Sequence, residues 1–153
     1  MKILGFILLF LFGLFFSQPF KIIQSTRQVV NAGRMESGSS EVFLIKIVAK
    51  KSSEKIQFED LWVGVTYYPI KASHQNPDNS ISNDFAKGDT IYIQAVKRSL
   101  PDEHGVLQPV NQGISKNVPI EYTGHALIGY KFKGKQHYAI IEDFEKLQTE
   151  NLP

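Results

Sequence analysis

The chain has 153 residues, with 17 lysines and arginines against 15 aspartates and glutamates, a formal net charge of +2. A balance so near neutrality gives no electrostatic footprint for nucleic acid, and no such partner is expected. The absence of cysteine excludes thiol nucleophiles, disulfide staples, Cys-based metal sites and anchoring through a lipidated cysteine.

Met1-Lys2 is followed by residues 3–16, all apolar or glycine, and then by Ser17-Gln18-Pro19. A membrane-crossing helix needs about 20 apolar residues, more than this run supplies. A short positive start, an apolar middle and a small residue before a polar break are the layout of a secretory signal peptide. Residues 1–17 are read as that peptide, cleaved after Ser17. Phe15, third before the cut, is larger than such sites prefer, and an uncleaved N-terminal anchor is the alternative. The stretch ending in Phe16-Ser17-Gln18 resembles leaders of exported proteins in Bacteroidetes-type bacteria. The expected destination is the periplasm, the cell surface or the medium, with no membrane span after cleavage. Loss of Lys2 lowers the formal charge from +2 to +1.

Strand signals dominate the remainder. Residues 20–30 hold Ile22, Ile23, Val29 and Val30, with a break near Gln24-Ser25, and a Gly/Ser/Asn-rich loop follows at 31–40. Residues 41–50 alternate, with Val42 and Leu44 on one side and Phe43, Ile45 and Ile47 on the other. Both sides are partly apolar, so a central strand is expected. Residues 56–58 begin a short strand. Residues 61–68 (LWVGVTYY) read as one strong strand, Trp62, Gly64, Thr66 and Tyr68 facing one way, with Pro69 ending it or marking an edge. Residues 71–88 form a long polar connection. Residues 89–97 alternate, with Ile91, Ile93 and Ala95 opposite Tyr92, Gln94 and Val96. Residues 98–119 cross between sheets, with a short strand near Val106-Leu107.

Residues 126–132 and 136–144 form the clearest hairpin. A three-residue Lys133-Gly134-Lys135 loop places Ile128 opposite Ile140 and Tyr130 opposite Tyr138. It is preferred to a two-residue Lys133-Gly134 turn, which pairs Tyr130 with His137. Residues 146–153 read as a polar tail after a single domain spanning 18–145.

Seven or eight short strands without a long amphipathic helix predict an all-β antiparallel sandwich. The stretch Phe85-x-x-Gly88-Asp89-x-Ile91-x-Ile93-x-Ala95 resembles the start of a strand in bacterial immunoglobulin-like modules, which implies an immunoglobulin-like arrangement. A small up-and-down β-barrel is the alternative; the long connections at 71–88 and 98–119 favour the sandwich.

No reaction centre stands out. Residues 129–135 match the letters of a phosphate loop, but Gln136 occupies the Ser/Thr place and no helix follows, so the hairpin is the better reading. Asp102, Glu103 and His104 are the densest set of metal-ligand types, and a remote His74 or His125 could complete a site. The plainer reading is a solvated turn. Residues 77–80 and 83–84 are oxygen-rich without the spacing of a calcium loop. Glu59-Asp60 and Glu142-Asp143 are adjacent carboxylates; strand neighbours face opposite ways, so neither pair can flank one bond, and solvent or turn positions are expected. Lys131, Lys133 and Lys135 near the hairpin tip could form an anion-binding edge; the plainer reading is that exposed lysines keep another sheet edge from docking.

Aromatic side chains on a sheet can stack on sugars or anchor a protein interface. Trp62, Tyr68, Tyr92 and Tyr130 are the candidate binding residues. The expectation is an exported, non-catalytic module for a protein or glycan partner, without a cofactor. A metal-binding protein or metal-dependent enzyme built on residues 102–104, and a barrel holding a small apolar ligand, are the alternatives.

Overall fold

The computed structural model describes residues 18–110 and 113–153, so the leader assigned to 1–17 lies outside the described residues. Twelve strands and a 3-10 turn at Met35–Ser37 make up the regular structure, with no α-helix among the described residues. In chain order the strands are β1 (Phe20–Asn31), β2 (Ser39–Ala49), β3 (Ile56–Val63), β4 (Thr66–Pro69), β5 (Ala72–Gln75) and β6 (Ile81–Ser82). They continue as β7 (Thr90–Pro101), β8 (Leu107–Pro109), β9 (Ala126–Phe132), β10 (Lys135–Ile141), β11 (Glu145–Lys146) and β12 (Glu150–Asn151). Among the described residues no helix is long and apolar enough to cross a membrane.

The larger sheet runs β11-β1-β2-β7-β5-β6, with β12 also on β1 and β8 also on β7; the smaller runs β10-β9-β3-β4. The protein is therefore an all-β sandwich. The two sheets do not close on each other, which removes the barrel alternative and the ligand-holding barrel with it. β2 is central, as its two-sided apolar character requires. The alternation read in β2 and β7 holds: Phe43, Ile45, Ile47, Ile91, Ile93 and Ala95 face inward and are buried.

The smaller sheet answers with Ile56, Phe58, Leu61, Tyr68, Ala126, Ile128, Tyr130, Ala139 and Ile141. Phe20 packs edge-on against Phe58 and Tyr130, with ring centroids 5.1 and 4.9 Å away. With no disulfide available, this burial is the main source of stability, at about 1.5–3 kcal/mol for each fully buried large side chain.

Three local expectations are corrected. Residues 61–68 are a hairpin and not one strand: β3 and β4 pair Trp62 with Tyr67 and Leu61 with Tyr68 across a Gly64-Val65 turn. Gly64 has φ 59°, the conformation a type II′ turn requires at its first central residue and one a branched side chain resists. The β9–β10 hairpin uses the two-residue turn, with Tyr130 opposite His137 and Ile128 opposite Ala139. Lys133 (φ 50°) and Gly134 (φ 76°) are both left-handed, as a type I′ turn demands. The faces do not mix, because His137 joins the inner side and stacks on Tyr130 at 5.6 Å.

The third correction concerns the connections. Residues 71–88 contain β5 and β6, and β5 pairs with β7. The polar tail is paired too: β11 and β12 lie parallel to β1, with Thr26 opposite Glu145 and Val30 opposite Glu150.

Candidate functional site

The site begins with a fault in β3. Phe58 pairs with Tyr130, yet Asp60 pairs with Gly129, so Glu59 is an extra residue. Such a bulge shifts the period-2 pattern by one. Ile56 and Phe58 face the core before it; Leu61 faces the core after it. Asp60 and Trp62 are thereby turned to the outer face of the smaller sheet.

Both are nevertheless buried, Asp60 at 4% exposure and Trp62 at 0%. Gly129 makes room for them: a Cβ there would stand 3.0 Å from Asp60 Cβ and 3.2 Å from the Trp62 ring. Tyr67, across the hairpin, packs its ring 5.6 Å from that of Trp62. Tyr138 of β10 packs at 6.3 Å.

The cover is the irregular crossover between β8 and β9. Its Lys116 sits over the Trp62 and Tyr67 rings at 5.6 and 5.7 Å. The ammonium donates to Asp60 Oδ2 at 2.6 Å, and the Lys116 carbonyl accepts the Trp62 indole N–H at 3.0 Å. The Tyr67 hydroxyl donates to Asp60 Oδ1 at 2.9 Å. One lysine thus pins the strap by a charge pair, two cation–π contacts and a backbone bond. Burial, then the Asp60 hydrogen bond, then the charges of Asp60 and Glu59 push the Tyr67 phenol up to about 12. Asp60 is a correction to its expected place in solvent. Sequence reasoning missed it because the bulge leaves no local signature, although its two-residue spacing from Trp62 was visible.

Lower on the same crossover, Tyr122 donates to the Gly64 carbonyl at 2.7 Å and ties the chain to the β3–β4 turn. Val65 at the tip of that turn is 85% exposed. Two clefts share it as a wall. One, of about 450 Å³, also has Tyr67, Pro109, Val110 and Ile114; the other, of about 470 Å³, has Val118, Pro119, Ile120 and Tyr122. Ile114 and Ile120 are exposed as well. One end of the sandwich therefore presents a run of apolar side chains to solvent.

The four candidate aromatic residues do not form one surface. Tyr68 and Tyr130 lie in the core, with phenols held above their ordinary range by burial. Trp62 lies under the strap. Tyr92 lies partly exposed in β7 of the other sheet, beneath the Lys46 ammonium at 5.9 Å.

Asp102, Glu103 and His104 stay adjacent on the β7–β8 turn, where the His104 ring lies 3.7 Å from the Glu103 carboxylate. Asp102 Oδ1 accepts the His104 and Val106 N–H groups, each at 2.9 Å, and Oδ2 accepts from the Gln108 amide. These bonds, Val106's foremost, hold its carboxyl below the usual range. His74 and His125 are engaged elsewhere, with Thr90 O and Glu142 O respectively. Among the described residues no group of three or more metal-ligating side chains converges. Asp78, in the first oxygen-rich loop, likewise accepts from Ser80 N and Oγ and closes a turn.

No protein-family model, no curated protein and no solved structure matches the chain.

Proposed function

We propose that the protein is an exported β-sandwich module that binds a partner protein through the apolar end around Val65. The observation that carries this reading is a branched apolar residue, 85% exposed, at a turn tip, where it joins two clefts with apolar walls. Contiguous exposed apolar surface rimmed by polar groups marks interaction sites. A glycan platform needs open ring faces, and burial of Trp62, Tyr68 and Tyr130 favours a protein over a sugar. Sixteen residues separate β8 from β9, and none of the described ones lies in a strand; loops of that length in compact domains are usually functional. Export rests on the leader layout of residues 1–17.

The test is a photo-cross-linking amino acid placed at Val65 or, as control, at Lys87, in the protein expressed in its native cells. A discrete adduct at Val65 and none at Lys87, on a chain whose mature N-terminus is near Gln18, is the expected result. Equal labelling at both positions, or none at either, would overturn the partner reading. A chain retaining Met1 in the cytoplasm would overturn export.

A further inference from the structure

Beyond Phe43 and Tyr68 the interior ends in charge. Register across the larger sheet sets Arg27 opposite Phe43 and Glu41 opposite Lys97. Phe43 and Ala95 face the core, and residues two apart on a strand share a side. Arg27, Glu41 and Lys97 consequently crowd the inward side at this end. Across from them stand Thr66 and Tyr68, and the five line a cavity of about 160 Å³ with Phe144. That is room for about five waters at about 30 Å³ each.

One cation in this cavity carries an unmet buried donor, and the other reaches it from the exposed side. The Arg27 Nε is buried and has no hydrogen-bond partner. Its ion pair with Glu41 spans 3.9 Å from Nη1, beyond hydrogen-bond reach. Among the described residues the Lys97 ammonium has no hydrogen-bonded or ion-paired partner. An unmet buried donor costs about 1–3 kcal/mol and calls for an acceptor. His125 also borders the cavity, but its Nδ1 is committed to Glu142 O at 2.6 Å.

We propose that this cavity binds a small monocarboxylate, with Arg27 and Lys97 as its anion-binding groups. Two cations against one carboxylate leave a single positive charge, which matches a monoanion. The planar guanidinium fork suits a carboxylate. Val63 and Phe144 supply an apolar wall for a short hydrocarbon stem, while Thr66 and Tyr68 add hydroxyl donors. Burial and the Glu41 charge raise the Tyr68 phenol, which keeps it protonated as a donor. A phosphate carries more charge than the site can balance while Glu41 is ionised.

The probe is propionate, titrated into the full chain at constant ionic strength, with phosphate and chloride as comparisons. Backbone amide shifts read the occupancy. Saturable shifts at residues 27, 68 and 97 with propionate, weakened at least about tenfold (a 1.4 kcal/mol difference) in Arg27→Gln and in Lys97→Met, are expected. Lys97 is an exposed residue, so its variant folds even if Arg27→Gln does not. Glu41→Gln should let phosphate in. Failure to saturate, equal affinity in the variants, or a preference of the unaltered chain for phosphate would each overturn the assignment. Thr66, Tyr68 and Lys97 also border the cleft beside Val65, so the cross-linking is read in the chain with Arg27 and Lys97 unaltered, and its failure leaves the propionate result standing by itself.

Discussion

Asp60 shows how much one carboxylate can organise when a bulge turns it onto a covered face. It accepts from Tyr67 and from Lys116 at once, and the strap is held where those bonds end. Asp60→Ala removes both acceptors and should cost about 1–3 kcal/mol in chemical denaturation. The emission of Trp62, the one tryptophan in the chain, should shift toward that of a solvated indole before global unfolding. An unchanged spectrum would show that the strap does not depend on this pair. The same cluster predicts a pH dependence. Tyr67 is pushed from 10 to about 12, so between those values the unfolded chain loses the proton and the folded one keeps it. Stability is intact below pH 10 and falls as pH rises toward 12. Tyr67→Phe should flatten that decline; other buried tyrosines titrate in the same direction, so the difference between the two chains is what isolates Tyr67.

At the level of elements, legibility followed burial. β2 and β7 were readable because their alternation is set by a core on one side, which period-2 patterning reports directly. The turns were not, because residue hydrophobicity says little about φ. LWVGVTYY reads as an unbroken apolar run, and only the left-handed Gly64 inside it folds it into a hairpin. That fold sends Trp62 and Tyr68, placed together by the sequence reading, to opposite faces. In the last hairpin the preference for the longer loop rested on matching Ile with Ile, whereas the backbone uses the I′ turn despite a lysine at its first central position. Asparagine tolerates that conformation better than lysine. Lys133→Asn should therefore stabilise the protein by about 0.5–1 kcal/mol, read as a higher denaturant midpoint at constant slope. A neutral or destabilising result would argue against the turn as described. Asp60 and the cations around the Arg27 cavity were illegible for a different reason: Lys116 reaches Asp60 from a crossover 56 residues further along the chain, and Arg27, Glu41 and Lys97 meet only through sheet register.

For the whole molecule, the question is how a cysteine-free sandwich keeps its sheets from pairing with other copies. β1 runs for twelve residues, and a long exposed edge of that kind is a template for aggregation. The chain covers it with β11 and β12, whose backbone bonds continue through Leu147 N–H to the Arg27 carbonyl at 2.9 Å and Leu152 N–H to the Asn31 carbonyl at 3.0 Å. Both leucines are exposed, so replacing them removes little packing. The double variant Leu147→Pro/Leu152→Pro deletes both donors while leaving Phe144, buried 5.3 Å from the Phe43 ring, in the core. It should retain the cooperative unfolding of the parent yet associate as concentration rises, measured by light scattering. If it stays monomeric, the edge is protected by something other than this parallel cover. If it loses cooperative unfolding, residues 145–152 support the core itself and are more than a cover for β1. The tail that the sequence presents only as polar is on this argument the device that lets the long strand beneath it remain unpaired with any neighbour.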